Sequence, residues 1–270
     1  MARLGIVGFT NSGKTTLFNA LTGLQAVTAS HPYTTTEPNL GIARIPDPLL
    51  EKVAQLEHST KVVPATLDLL DLPALTRTGE GAGASLALLR EMDALVMVVR
   101  TFEDDAVPFE ASLSDPVGQV EELLLEMAVA DHELLAKRAD RLAREASSEP
   151  AKRPTAAVMN ETAAHLATGH ALRARTWPTD TIQALRDSAP LTLKPAVWVI
   201  NHEEAGGPSE AELDNVQTAV PAGDVVVAVS ARIEEEASRL SVADRSEMSE
   251  GLGLGEGVLA RIVRAAYQSL

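Results

Sequence analysis

Cysteine is absent from this 270-residue sequence. Disulfides, thiolate metal sites and a cysteine nucleophile are therefore excluded. Aromatic residues are scarce at 3%, so Leu, Val and Ala must carry most of the packing. Positive charge is also in short supply: 23 Lys and Arg face 38 Asp and Glu, a formal net charge of -15. Broad nonspecific binding to nucleic acid needs a basic surface and is not expected. Lys137, Arg138, Arg141 and Arg144 form a local basic cluster, most simply read as a solvated helix face. No stretch is long and apolar enough to span a bilayer, and no secretory signal is visible. The expected location is the cytoplasm, with no membrane partner.

What the sequence does hold is G-x-x-x-x-G-K-T, from Gly8 to Thr15, directly after the apolar run Leu4-Gly5-Ile6-Val7. Chance would produce this pattern in such a chain on the order of one per cent of the time. A strand-like run precedes it and a helix-like run follows from Thr15 to Leu24, the context a phosphate-binding loop requires. Backbone N–H groups of Asn11, Ser12, Gly13, Lys14, Thr15 and Thr16 are candidates to surround a phosphate chain at the helix start. Lys14 would bridge β- and γ-phosphates, and the Thr15 hydroxyl would hold Mg²⁺.

Further motifs gain meaning from this loop. Residues 27–39 are polar, contain Pro32 and Pro38, and read as a loop carrying Thr34-Thr35-Thr36, hydroxyls that could reach Mg²⁺ and the γ-phosphate. Runs 40–45 and 63–70 are strand candidates, and the second leads into Asp71. An acid there suits a second Mg²⁺ contact; a cap on the next turn is the other reading. Three glycines in 73–85 mark another loop, followed by a helix over 84–91 and a strand over Ala94 to Val99, closed by Arg100. Asp115-Pro116 opens a long amphipathic helix whose apolar spacing is interrupted at Asp131-His132. Segment 147–154 breaks it, and helices follow from about 155 to 169 and 179 to 187. Strands return at 196–200, ending in Asn201, and at 224–229, ending in Ser230-Ala231, with helices over 210–220 and about 256–268. The expectation is an α/β P-loop domain with a mostly parallel sheet, built from residues 1–114 and 191–270. Residues 115–190 would form an inserted helical domain, a hairpin or small antiparallel coiled coil.

Taken together, these motifs resemble the Obg-type branch of P-loop GTPases and, within it, the YchF/Obg-like ATPase family. The resemblance covers nearly all of the chain. Gly8 to Thr15 is similar to the first nucleotide motif, and His31 to Asn39 to the family's first switch, with Thr35 matching its Mg²⁺-binding threonine. Pro46-Asp47-Pro48, Arg100-Thr101-Phe102-Glu103 and Leu191-Thr192-Leu193-Lys194-Pro195 also look like family signatures. The resemblance implies a slow Mg²⁺-dependent ATPase acting in translation or ribosome-associated regulation. Lys14 and Thr35 would be its catalytic residues, and Thr15, Thr35 and Asp71 its metal contacts. Asn11 is similar to an asparagine that helps bind K⁺ in related GTPases, which implies K⁺ stimulation.

Departures from the wider superfamily are informative. Guanine is usually read by N-K-x-D; here the strand ends Asn201-His202-Glu203-Glu204, the N-x-x-E form that resembles ATP-preferring members. Asn201, His202, Glu204, Ser230 and Ala231 are thus the candidate base-side residues. The second switch is usually D-x-x-G but reads Asp71-Leu72-Pro73-Ala74, with Leu75 where a water-orienting glutamine often stands. Both changes point to slow turnover. Two alternatives stay open: a nucleotide-binding scaffold with little hydrolysis that displays its helical insert to a partner, and a GTP-preferring GTPase. A small-molecule kinase is less favoured, because no acidic base is paired with a substrate pocket. The family carries a C-terminal TGS domain, and the sequence ends at Gln268-Ser269-Leu270, where that domain would begin.

Overall fold

The computed structural model describes residues 2–26, 38–45, 47–74, 82–104, 107, 109, 115–204, 206–240, 244 and 258–269. The first-switch segment with Thr35, and Pro46 and Leu75, lie outside the described residues.

Residue pattern explains the sheet. Strands β4 (Ala94–Arg100) and β5 (Ala196–Asn201) are buried at every position, as their unbroken apolar sequences require of strands covered on both faces. They sit centrally beside β1 (Arg3–Gly8), flanked by β3 (Thr66–Asp71) and β6 (Val225–Val229). Strand β2 (Asn39–Arg44) alternates between exposed and buried residues, as an edge strand does. The order is β2-β3-β1-β4-β5-β6, with β2 antiparallel to β3 and every other pair parallel.

Helices cover both faces. Helix α1 (Lys14–Thr22) contributes Leu17, Phe18 and Leu21 to one core, with Ala231 of α8 (Ala231–Ser238) and Ile262 and Val263 of α9 (Val258–Ser269). The opposite core joins Leu89 of α3 (Ala82–Arg90), Val216 of α7 (Glu210–Ala219) and Val120, Leu123 and Met127 of α4 (Pro116–Glu145) around Met97 and Trp198.

Helix α4 organises the middle of the chain. Asp115 caps it by accepting from Gly118 N at 2.9 Å, and Pro116 occupies the first turn, where its missing N–H costs nothing. Its 30 residues run about 45 Å. Its first half lies on the sheet, whereas Leu135 and Leu142 of its second half pack with Met159 and Leu166 of α5 (Arg153–Leu166). The helix runs unbroken through Asp131-His132, where its apolar spacing lapses, as expected of one long helix. Asp131 points inward, fully buried, and accepts from Arg90 Nη1 at 2.6 Å, Thr192 N at 2.7 Å and Thr192 Oγ1 at 2.8 Å. Arg90 and Thr192 precede β4 and β5, so this cluster marks the amino ends of the strands. The α4–α5 pair therefore lies towards the side of the sheet away from the phosphate loop.

The return path is anchored as firmly. After α6 (Thr179–Leu185), Lys194 Nζ donates to Arg90 O at 2.9 Å and also to Met92 O. Arg173 holds Asp224 through Nε at 2.9 and 3.0 Å and Nη2 at 2.7 Å, and Trp198 Nε1 donates to the same carboxylate at 2.8 Å. The basic cluster on α4 is partly answered locally: Arg138 reaches Ser188 Oγ at 2.7 Å and Asp187 at 3.4 Å, and Arg141 lies 3.8 Å from Glu145.

Several boundaries differ from expectation. Helix α3 begins at Ala82, inside the glycine-rich segment read as loop. Helices α2 (Pro48–Leu56) and α8 form where the sequence reading places no element. For α2 the signal was its cap: Asp47 accepts from Leu49 N and Leu50 N, with Pro48 in the first turn. The expected break over 147–154 holds a 3₁₀ turn, Pro150–Lys152, and the start of α5.

Candidate nucleotide-binding site

The phosphate loop joins β1 to α1, so the positive end of α1 opens at the carboxyl edge of the sheet. Two residues adopt the left-handed conformation, Asn11 at φ 61 and Gly13 at φ 94. Gly13 is required twice over: a Cβ there would be strained by its φ and would meet Asn201 Nδ2 at 2.1 Å. Gly8 is pressed from below, where a Cβ would meet Val98 O at 2.6 Å and Ser12 Oγ at 2.7 Å.

Lys14 is buried, and its ammonium donates to Phe9 O at 2.8 Å, folded over the loop it belongs to. Burial pulls its pKa down to about 8, against the opposing pull of the Asp71 carboxylate. Asp71 ends β3 and is fully buried. Its Oδ2 accepts from Thr15 Oγ1 at 2.8 Å and from Asn39 Nδ2 at 3.1 Å. Burial raises the Asp71 pKa, while those two hydrogen bonds and the Lys14 charge hold it down. Its other oxygen, Oδ1, has no hydrogen-bond partner among the described residues, and neither has the buried Ser12 Oγ. Buried polar atoms are seldom left unpaired without a reason. The sequence-predicted metal contacts Thr15 and Asp71 are thus brought together. Asn39 is an addition that sequence reading did not single out, although it closes the threonine-rich segment.

This corner fits a hard divalent cation. Its donors are a hydroxyl and a carboxylate, the oxygen set Mg²⁺ takes when phosphates and water complete its coordination. The orphaned Asp71 Oδ1 is a free acceptor beside them. Among the described residues, no group of three or more His, Asp or Glu forms an all-protein metal cage.

The base-side residues divide into two groups. Asn201, at the end of β5, is buried and acts as a clasp. Its Nδ2 donates to Ser12 O at 3.0 Å and its Oδ1 accepts from Ala231 N at 3.0 Å, tying the phosphate loop to the turn after β6. Ser230 and Ala231 are buried beside it, and Ser230 Oγ is unpaired among the described residues. His202 N is fixed to Val229 O at 2.8 Å, and its Nδ1 lies 2.6 Å from Glu203 O. Glu204 turns outward to an exposed partner, Arg232 Nε, at 2.9 Å. Arg100 was legible only as the residue closing an apolar strand and as part of a family signature; here its Nη1 donates to Asn11 O at 3.1 Å.

Known proteins similar to this chain agree on the fold and differ in the nucleotide that their names carry. Residues 3–141 match the family model described as 50S ribosome-binding GTPase. The ribosome-binding ATPase YchF of Haemophilus influenzae is 34% identical over 99% of this chain and 76% of its own length. The protein of the same name from Bacillus subtilis is 30% identical over 98% of this chain and 75% of its own. The fold is also that of the Schizosaccharomyces pombe YchF GTPase, with a TM-score of 0.83 at 24% identity, covering 100% of this chain and 75% of that one. The chain belongs to the YchF family of P-loop nucleoside triphosphatases.

Proposed function

We propose that this protein binds ATP at the loop Gly8 to Thr15 and hydrolyses it slowly, and that its nucleotide state governs an interaction with the ribosome in the cytoplasm. One observation carries the reading: Lys14, Thr15 and Asp71 meet at a helix N-terminus, with a buried carboxylate oxygen left unpaired. A closed structural network would satisfy that oxygen; a ligand site leaves it available.

The assignment of roles follows. Lys14 exchanges its bond to Phe9 O for the β- and γ-phosphates. Thr15 and Asp71, with Thr35 from the first switch, would hold Mg²⁺, and the ion would supply charge neutralisation for the phosphates. Backbone N–H groups of residues 11–16 surround the phosphate chain. Asn201 positions the loop, while His202, Glu204, Ser230 and Ala231 form the base side. The N-x-x-E sequence and the missing lysine favour adenine over guanine. Asn11 is the candidate K⁺ contact. Residues 115–190 act as the inserted helical unit and residues 1–114 with 191–270 as the nucleotide domain. The ribosome enters because two relatives carry ribosome binding in their names.

Equilibrium titration with ATP and GTP analogues, followed by single-turnover hydrolysis with Mg²⁺ and with or without K⁺, tests this reading. The expected result is tighter ATP binding and slow hydrolysis that disappears in Lys14→Ala. GTP bound about tenfold more tightly, or about 1.4 kcal/mol, overturns the base assignment. Hydrolysis that survives Lys14→Ala overturns the site.

A further inference from the structure

Arg100 is a buried cation beneath the phosphate loop; its guanidinium donates to main-chain carbonyls, and the nearby Asp104 carboxylate favours its charge. Nε donates to Phe102 O at 3.0 Å, and Nη1 donates to Asn11 O at 3.1 Å and Val107 O at 3.0 Å. The guanidinium is held between two rings, 4.1 Å from the Phe102 centroid and 4.9 Å from the Phe109 centroid. A planar fork with several donors suits this task; a lysine could reach one or two of these carbonyls but not match the geometry. Asn11 O belongs to the loop residue with φ 61, so Arg100 fixes the peptide at which the phosphate loop turns left-handed.

The backbone of Arg100 is fixed in turn from α4. The fully buried Gln119 accepts from Arg100 N at 2.8 Å through Oε1 and donates to Arg100 O at 2.7 Å through Nε2. These two bonds form a peptide-like clasp at the end of β4. The same helix reaches Asp131 and then the contacts with α5. A chain of hydrogen bonds, part-buried at Asn11 and fully buried at the Gln119 clasp, thus runs from Asn11 through Arg100 and Gln119 into α4.

We propose that Arg100 is a positioning residue for nucleotide binding and that Gln119 couples the phosphate loop to α4, so that nucleotide occupancy tightens the first turns of that helix. This rests on reading the loop as a nucleotide site. Filling the loop rigidifies Asn11, and Arg100 transmits that restraint to the Gln119 clasp. By linkage, whatever steadies α4 strengthens nucleotide binding by the same factor.

The test uses the full chain and a fluorescent ATP analogue with Mg²⁺, hydrogen exchange over residues 116–124, and a melting curve for each variant. Arg100→Met is expected to weaken analogue binding about tenfold or more, with a smaller change in kcat, and Arg100→Lys to recover part of that loss. Gln119→Met is expected to weaken binding less and to abolish the nucleotide-induced protection of 116–124 seen in the wild type. A double-mutant cycle should give less than the product of the two single losses. A folded Arg100→Met variant that binds within twofold of wild type overturns the proposal. If Arg100→Met does not fold, Gln119→Met decides: protection that responds to nucleotide as in the wild type overturns it. Failure of the wild type itself to bind the analogue overturns the underlying reading of the site and the proposal with it, and so differs from failure of the variants alone.

Discussion

Asp71 and Asp131 are both fully buried carboxylates, and they sit at opposite ends of the sheet. Asp131 has a guanidinium on one oxygen and two donors from Thr192 on the other. Asp71 has two donors crowded onto one oxygen and none, among the described residues, on the second. The first is a closed joint between α4 and the roots of β4 and β5. The second is open, and its openness costs stability in the absence of ligand. Burial depth alone does not separate a structural acid from a functional one; the count of unsatisfied lone pairs does.

The sharpest way to break this contrast is to mutate both acids. Asp131→Ala should destabilise the protein by about 3–5 kcal/mol, because Arg90 and Thr192 lose their shared partner. Thermal or urea unfolding measures it, and a loss under about 1 kcal/mol would show that the joint is not closed in the sense argued. Asp71→Asn should do the reverse: leave stability equal or higher, yet reduce Mg²⁺-dependent hydrolysis about a hundredfold, near 2.7 kcal/mol. Equal loss of stability in both variants removes the distinction.

Proton linkage refines it. Asp71 has a folded pKa raised above its ordinary value of 3.8, so the folded protein holds its proton longer than the unfolded chain. Stability of the free protein should therefore fall as pH rises from 3.8 through the raised value, and Asp71→Asn should remove that fall. Lys14 has the opposite sense. Its folded pKa of about 8 lies below 10.5, so the cost of burying its charge is relieved as pH rises from about 8 towards 10.5. Nucleotide binding needs the charged form, and affinity should weaken by up to about tenfold per pH unit above about 8. Calorimetry in two buffers should detect proton uptake on binding in that range. Affinity flat across it would mean that Lys14 does not contact the phosphates.

The smallest expected effect is at the rim. Glu204 and Arg232 are exposed, and such pairs contribute at most about 1 kcal/mol. Arg232→Ala should leave the melting temperature nearly unchanged and alter the ATP-to-GTP affinity ratio by no more than a few-fold. A larger change would show that Arg232 sets the position of Glu204 on the base side.

The legibility of the two ends in sequence follows the same physics. Phosphate binding needs fixed residue types at fixed spacing, so Gly8 to Thr15 could be read directly, whereas Asp71, at no fixed spacing from the loop, kept a capping reading beside the metal one. The central strands were readable because burial on both faces demands unbroken apolar runs. Asp131 was legible only as a fault in the periodicity of α4, since its partners are distant in sequence, 41 residues away at Arg90 and 61 at Thr192. Asn201 was read as base-side, and its role as a clasp depends on the distant Ser12 and Ala231 backbones. Helix α8 is harder to read because the face it buries against α1 is made of Ala231, Glu234 and Ala237, small or charged residues rather than large apolar ones.

Asp131 lies at the midpoint of α4, about 22 Å from either end. Pinned there, the helix carries its first half in the core of the sheet and its second half in the core shared with α5, so one buried acid stands at the boundary between two packings.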